Sequence, residues 1–245
     1  MRLSTMDRTY GHTCTAYDSR MPTTSGRRRR PSLTREAVVA HAIAVADTEG
    51  ADAVTIRRLA TDHDVTPMAL YWHFKDKDQL FDAIAESVCR SVSIPADTSA
   101  RWGARLHGIL QAFLEVLRSH PGVAGLVSTR MLLSEAGLDI AEHVLGLLRE
   151  GGFPPEEAAE ISSYLLASII TLVTAEPGSH AGLDGDEAAA AVRTRRAALS
   201  ALDPQRFPNV IASAGALAMC SSRDEWFSRG VEILVAGTQE LRPRK

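Results

Sequence analysis

The chain has 245 residues, 45% of them hydrophobic, enough for a buried core in one large domain or two smaller ones. Its net charge of −3 rules out a general polycation, so any nucleic-acid partner must be met by locally placed positive charge. Cys14, Cys89 and Cys220 are odd in number and far apart, which suggests neither a disulfide framework nor a zinc ribbon and fits a reducing cytosol. No uninterrupted apolar run reaches the ~18 residues of a bilayer span, and the N-terminus lacks the apolar segment of a secretory signal. The expectation is a cytoplasmic protein with no membrane partner.

Residues 1–33 are polar, Ser/Thr-rich and without periodicity, which predicts a disordered tail. The tail ends in Arg27-Arg28-Arg29-Arg30 and Pro31. Met21 stands just before that run, and residues 1–20 are read as an upstream extension from a misplaced start, which the intact mass of the natively expressed protein would test. From Thr34, a reasonable cap, Val39, Ile43 and Ala46 form a helical stripe that Gly50 stops.

Residues 55–74 carry the strongest signal. Thr55 can cap a helix in which Ile56, Leu59 and Ala60 make an apolar edge. His63-Asp64 breaks the pattern and Val65 plugs the turn. Thr66-Pro67 restarts a helix, with Thr at the cap and Pro at the first helical position, where its missing N–H costs nothing. Leu70 and Phe74, four apart, face the core. The spacing predicts a helix-turn-helix whose second helix enters a major groove. A longer helix over residues 77–93 follows, with Leu80, Ile84 and Val88 on one side and Pro95 beyond its end.

A second unit begins near Arg101. Leu106, Leu110, Phe113, Leu114 and Leu117 define an amphipathic helix stopped at His120-Pro121-Gly122. Shorter helical pieces are predicted at 122–134 and 138–149, the latter ended by Gly151-Gly152. Pro154-Pro155-Glu156-Glu157 opens a helix over 155–175, with acids where the helix dipole favours them. It is apolar nearly all round from Tyr164 to Val173, which predicts deep burial. A loop at 177–186, an Ala-rich helix at 186–201 and a last helix at 223–240 complete the chain. The last helix bears Trp226, Gly230, Ile233 and Gly237 on one stripe. No strand and no internal repeat is predicted, so the fold class is all-α: a tail (1–33), a helix-turn-helix head with a connector helix (34–95) and a helical body (96–245).

Leu70-Tyr71-Trp72-His73-Phe74-Lys75-Asp76-Lys77, with Thr55-Ile56-Arg57-Arg58-Leu59-Ala60 before it, resembles the tetracycline-repressor (TetR) family. Ser119-His120-Pro121-Gly122, Arg206-Phe207-Pro208-Asn209 and the Trp226–Gly230 segment resemble the C-terminal domain of its tetracycline-repressor-like subgroup. The resemblance implies a homodimeric, ligand-responsive regulator, most often a repressor, that binds a palindromic double-stranded operator. It implies no cofactor and no enzymatic activity, and the sequence carries no P-loop, nucleophile elbow or zinc helix. Within it, Arg57, at the start of the first helix of the motif, is implied to meet DNA. Thr66, Pro67, Met68 and Ala69 form the turn that reaches base edges. They are short and largely apolar, suited to thymine methyls rather than bidentate hydrogen bonds. Tyr71 and His73 are expected at phosphates and Trp72 in the core. Lys77, beside the free N–H groups opening the connector helix, is read as a phosphate clamp, and Arg27–Arg30 as a minor-groove arm. The effector site is expected in the body, at His107, Phe113, Leu117, Met131, His143 and Thr174, and to take a small hydrophobic or aromatic molecule. A metal-assisted mode is not expected, since no paired His/acid spacing is present. A dimer interface is expected through Leu165, Ile169, Trp226, Gly230, Ile233 and Gly237. Two alternatives stand beside this reading: a redox sensor using Cys89, and an architectural DNA binder without ligand.

Overall fold

The computed structural model describes residues 33–95, 99–175, 185–218 and 223–242. Twelve α-helices and no strand are found among them. Residues 1–32 of the tail, and with them Arg27, Arg28, Arg29 and Arg30, lie outside the described residues.

Local chemistry sets the first four helices. Helix α1 (Arg35–Glu49) starts where Thr34 Oγ1 accepts the Ala37 N–H at 3.1 Å. It stops at Gly50, whose φ of 89° suits a residue without Cβ. Helix α2 (Ile56–Asp62) is capped by Thr55 Oγ1, which accepts the Arg58 N–H at 3.1 Å. The chain then reverses through Asp64, the one described non-glycine residue with positive φ, at 55°. The Val65 N–H donates to the Ala60 carbonyl at 2.9 Å and closes the turn. Helix α3 is short, Pro67–Tyr71. Helix α4 (Lys77–Arg90) begins with the Asp76 carboxylate accepting the Gln79 N–H at 2.8 Å.

Helix α5 (Trp102–Ser119) buries Leu106, Ile109, Leu110, Phe113, Leu114 and Leu117. The predicted piece at 122–134 resolves into a 3-10 turn (Pro121–Val123), helix α6 (Ala124–Arg130) and a second 3-10 turn (Met131–Leu133). Helix α7 (Glu135–Glu150) starts three residues before the predicted 138, capped by Ser134, and ends at Gly151. Helix α8 spans Pro155–Thr174. Helix α9 (Gly185–Ser200) packs with two short helices the sequence pattern did not signal, α10 (Pro208–Ala212) and α11 (Ala214–Ala218). Helix α12 (Arg223–Glu240) returns along α5 and α8.

One apolar cluster runs from Val38 on α1 to Val235 on α12, so head and body share a core. Two side-chain contacts lock the body to α1. His120 Nδ1 lies 2.8 Å from Asp47 Oδ2, and the Gly122 N–H donates to Asp47 Oδ1 at 3.0 Å. Gly122 is required there, because a Cβ would stand 2.0 Å from the Ala46 carbonyl oxygen.

The expected deep burial of the 155–175 helix is corrected. Ala158, Ile161, Leu165, Ile169 and Val173 turn inward, but Tyr164 is 73% exposed. Length and apolarity alone would let this helix cross a bilayer. Its two sides differ instead: an i, i+4 row of branched side chains packs inside the subunit and the opposite side lies open.

Candidate nucleic-acid interface and ligand cavity

Thr55, Ile56, Arg57, Pro67 and Tyr71 line one surface concavity of about 550 Å³. Of the residues expected at DNA, Thr55, Arg57, Pro67 and Tyr71 are brought together there, while Thr66, Met68, Ala69 and His73 are not in its wall. Met68 is 66% exposed at the start of α3, while Ala69 and His73 are half-buried. Trp72 corrects the sequence reading: it is 86% exposed, with Leu70 and Phe74 fully buried on either side. A residue two positions from each member of a buried i, i+4 pair lies on the opposite face, so burial of Leu70 and Phe74 turns Trp72 outward.

Arg57 and Arg58 divide two duties. Arg58 forks onto Glu49 at 2.9 and 3.0 Å and donates through Nε to Asp62 at 2.8 Å. These bonds raise its pKa and tie the end of α1 to α2. Among the described residues Arg57 makes no ion pair. Beside this network, His41 Nε2 lies 3.1 Å from Asp62 Oδ2, and the His41 and His63 rings are 4.8 Å apart. The His63 Nε2 is buried without a partner. Burial, then the neighbouring His41, pushes its pKa below the usual imidazole range, against a smaller pull from Asp62.

At the start of α4 the Lys77 ammonium stands 4.8 Å over the Phe81 ring. The free N–H groups expected there are partly taken, since Asp76 occupies that of Gln79. Lys77 therefore offers a charge rather than the tip of an open helix.

In the body, Ile109, Leu110 and Phe113 of α5, Met131 and Leu132, Ile140 and Val144 of α7, and Ser162, Leu165 and Leu166 of α8 line a cavity of about 90 Å³. Its wall carries no charged group and no imidazole. Of the expected effector residues, it takes Phe113 and Met131. Leu117 is buried in the core away from it, and His107 is half-buried outside its wall. His143 is exposed, with Nδ1 2.7 Å from the Asp139 carbonyl, and the exposed Thr174 donates to the Ile170 carbonyl at 2.9 Å. On α7 the inward positions are Ile140 and Val144, which leaves His143 facing out. No described group of three or more His, Cys, Asp or Glu is placed to hold a metal ion.

An open groove of about 550 Å³ runs between α8 and α12, lined by Tyr164, Ala167, Ser168, Thr171 and Leu172 on one side and Trp226, Arg229, Gly230, Ile233 and Leu234 on the other. Of the residues expected at a dimer interface, Trp226, Gly230 and Ile233 line this groove. Leu165 and Ile169 do not: they are 3% and 0% exposed, Leu165 lining the inner cavity. The signal for this split was in the sequence, where Ile161, Leu165, Ile169 and Val173 make one row and Tyr164, Ser168 and Thr171 the other. Gly230 serves close approach within the subunit, since a Cβ would lie 2.7 Å from Leu172 Cδ1; Gly237 faces open space.

Cys89 is buried, and its thiol is pushed up to about 11 chiefly by that burial. A hydrogen bond with Ser134 pulls the other way. A thiol shifted that way is largely protonated at neutral pH, which weighs against redox sensing.

Residues 38–84 match the model for bacterial regulatory proteins of the tetR family, and residues 94–242 match that for the tetracyclin repressor-like C-terminal domain. The chain belongs to the TetR family. As such it is a DNA-binding transcriptional regulator and not an enzyme. An HTH-type transcriptional regulator of Saccharopolyspora erythraea is 30% identical over 218 residues, 86% of either chain. Among solved structures, the Streptomyces coelicolor TetR family protein ActR in complex with actinorhodin superposes with a TM-score of 0.68 at 26% identity, covering 86% of this chain and 99% of its own. BioQ with its natural double-stranded DNA operator gives a TM-score of 0.53 at 26% identity, over 75% of this chain and 99% of BioQ.

Proposed function

We propose that this TetR-family regulator acts in the cytoplasm as a dimeric repressor, bound to a palindromic operator and released when an uncharged, largely apolar molecule enters the cavity between α5, α7 and α8. The observation that carries the DNA half is the shared concavity of Thr55, Arg57, Pro67 and Tyr71, with Met68 and Trp72 exposed beside it. Thr66, Pro67, Met68 and Ala69 would meet base edges. Arg57 supplies the long donor that they lack. Tyr71, Trp72, His73 and Lys77 would meet the backbone, and Arg27–Arg30 would lie in the minor groove.

The ligand class follows from the cavity wall. A charged ligand would lose its hydration there without compensation. The Ser162 and Ser163 hydroxyls are the polar groups able to orient a guest. ActR, solved in complex with actinorhodin, supports a bound guest by analogy. The α8–α12 groove supports the dimer: each subunit offers two helices, and a second copy would make a four-helix interface. In such a dimer the two recognition helices must match major grooves ~34–36 Å apart. A ligand need shift that match by only ~1–3 kcal/mol to change operator affinity ~5–150-fold.

In vitro selection from random duplex DNA tests this reading. A palindrome with half-sites about one turn apart is expected. Enrichment of a single unpaired half-site would overturn the dimer, and no enrichment would overturn sequence reading by the head.

A further inference from the structure

Arg130 ends α6, and Met131 and Leu132, the next two residues, belong to the cavity wall. Its guanidinium reaches across to α4. It donates to Asp82 Oδ1 at 2.6 Å, to the Asp78 carboxylate, and to the Asp78 carbonyl at 3.2 Å. It also lies 5.4 Å over the Phe81 ring, the ring that the Lys77 ammonium shares. One planar cation thus spans the step from the cavity wall to the first two turns of α4. Those turns hold Lys77, Asp78 and Asp82, a net negative group that Arg130 neutralises.

We propose that Arg130 is the positioning residue through which occupancy of the cavity reaches the DNA-facing end of α4, and that it acts by uncovering two carboxylates. The proposal rests on the DNA-binding reading above. Arg130 does not itself line the cavity. It sits at the break between α6 and the 3-10 turn, with φ −121°. The Met131 carbonyl is held by the Ser134 N–H at 3.2 Å and by Ser134 Oγ at 3.0 Å, so the turn moves as a unit. A guest larger than the present 90 Å³ would press on its wall, Met131 and Leu132 included, and the turn would carry Arg130 with them. Once the guanidinium withdraws, Asp78 and Asp82 repel the phosphates that Lys77 serves. Ser134, in the same turn, also meets Glu86 and Cys89 of α4, but further from its N-terminal end than Arg130 does. Asp47 meets His120 and Gly122 on α1, away from the cavity wall. Glu86 accepts the Ala136 N–H further along α4.

The test measures affinity for the selected operator across a range of salt. Arg130→Gln should weaken binding about tenfold at low salt and converge with the wild type at high salt, with a salt slope flatter by roughly one phosphate contact. Adding Asp78→Asn and Asp82→Asn to it should restore the loss. Val144→Phe, which puts a side chain into the cavity, should weaken binding when Arg130 is present and add nothing in the Arg130→Gln background. An Arg130→Gln loss that is equal at all salt concentrations, or that persists in the triple variant, would overturn the relay, as would additive effects of Val144→Phe and Arg130→Gln. If Arg130→Gln does not fold, Asp78→Asn/Asp82→Asn with Arg130 intact decides: tighter binding with a steeper salt slope is expected, and no change overturns the proposal. A wild type that binds no DNA fails at the earlier step and overturns the reading of the head itself.

Discussion

Arg58 spends three of its five donors on Glu49 and Asp62, whereas its neighbour Arg57 makes no ion pair among the described residues. Arg58→Ala should therefore lower the melting temperature and, through it, every activity of the head. Arg57→Ala should leave melting unchanged and weaken operator binding ~10-fold or more, the size of one lost ~1–3 kcal/mol contact. A melting shift in Arg57→Ala, measured by circular dichroism, would show that this side chain is architectural. His63 gives a pH dependence with a definite sign. Its native pKa lies below that of an unfolded histidine, so as pH falls below about 6.5 the unfolded chain takes up a proton that the native state resists. Stability is fully present above that pH and declines as pH falls toward the native pKa. The wild type should melt lower at pH 5.5 than at pH 7.5. His63→Leu, which also removes the unpartnered Nε2, should lose part of that dependence, and an unchanged slope would clear His63 of it. Asp62 and Glu86, both held below the usual carboxylate range, add a similar loss only in stronger acid.

At the scale of elements, helices were legible where caps and spacing agreed. Thr34, Thr55 and Gly50 fall where the sequence reading placed them, because each satisfies a backbone group locally. Thr66 was expected to cap α3 through its hydroxyl; it makes no such bond, and Pro67 alone fixes the start. The site was less legible than the fold. Trp72 read as core because it is large and apolar, yet the Leu70–Phe74 pair leaves it no inward direction. The cavity was missed at α7 because polar His143 drew attention while Ile140 and Val144 form the wall. A wall of aliphatic groups from three helices has no local spacing to announce it. Ser134 was also missed, although it is buried and holds two backbone groups besides meeting Glu86 and Cys89 of α4. It caps α7 by accepting the Gly137 N–H at 3.1 Å and donates to the Met131 carbonyl at 3.0 Å. Ser134→Ala should cost ~1–2 kcal/mol in urea unfolding, a lost cap plus a lost buried bond. A cost near zero would mean that water replaces both.

For the whole molecule, the open α8–α12 groove decides the state of assembly on the proposed reading. Gly230 is a poor place to test it, since a bulkier residue would strike Leu172 of the same subunit. Ile233, 63% exposed in the groove, is the better one. Ile233→Asp should give monomers in analytical ultracentrifugation, with secondary structure intact and operator affinity reduced at least 100-fold as the second half-site is lost. A dimer of unchanged strength would move the interface elsewhere. The thiol of Cys89, shut in on α4 beside Ser134, has a last use as a clock. An alkylating reagent can reach it only while α4 stands away from its neighbours, so the modification rate at this one position, read by peptide mass, counts how often the connector lets go. Operator DNA should slow that count if it holds the connector docked, and a ligand that frees the connector should quicken it, in a chain carrying no added label.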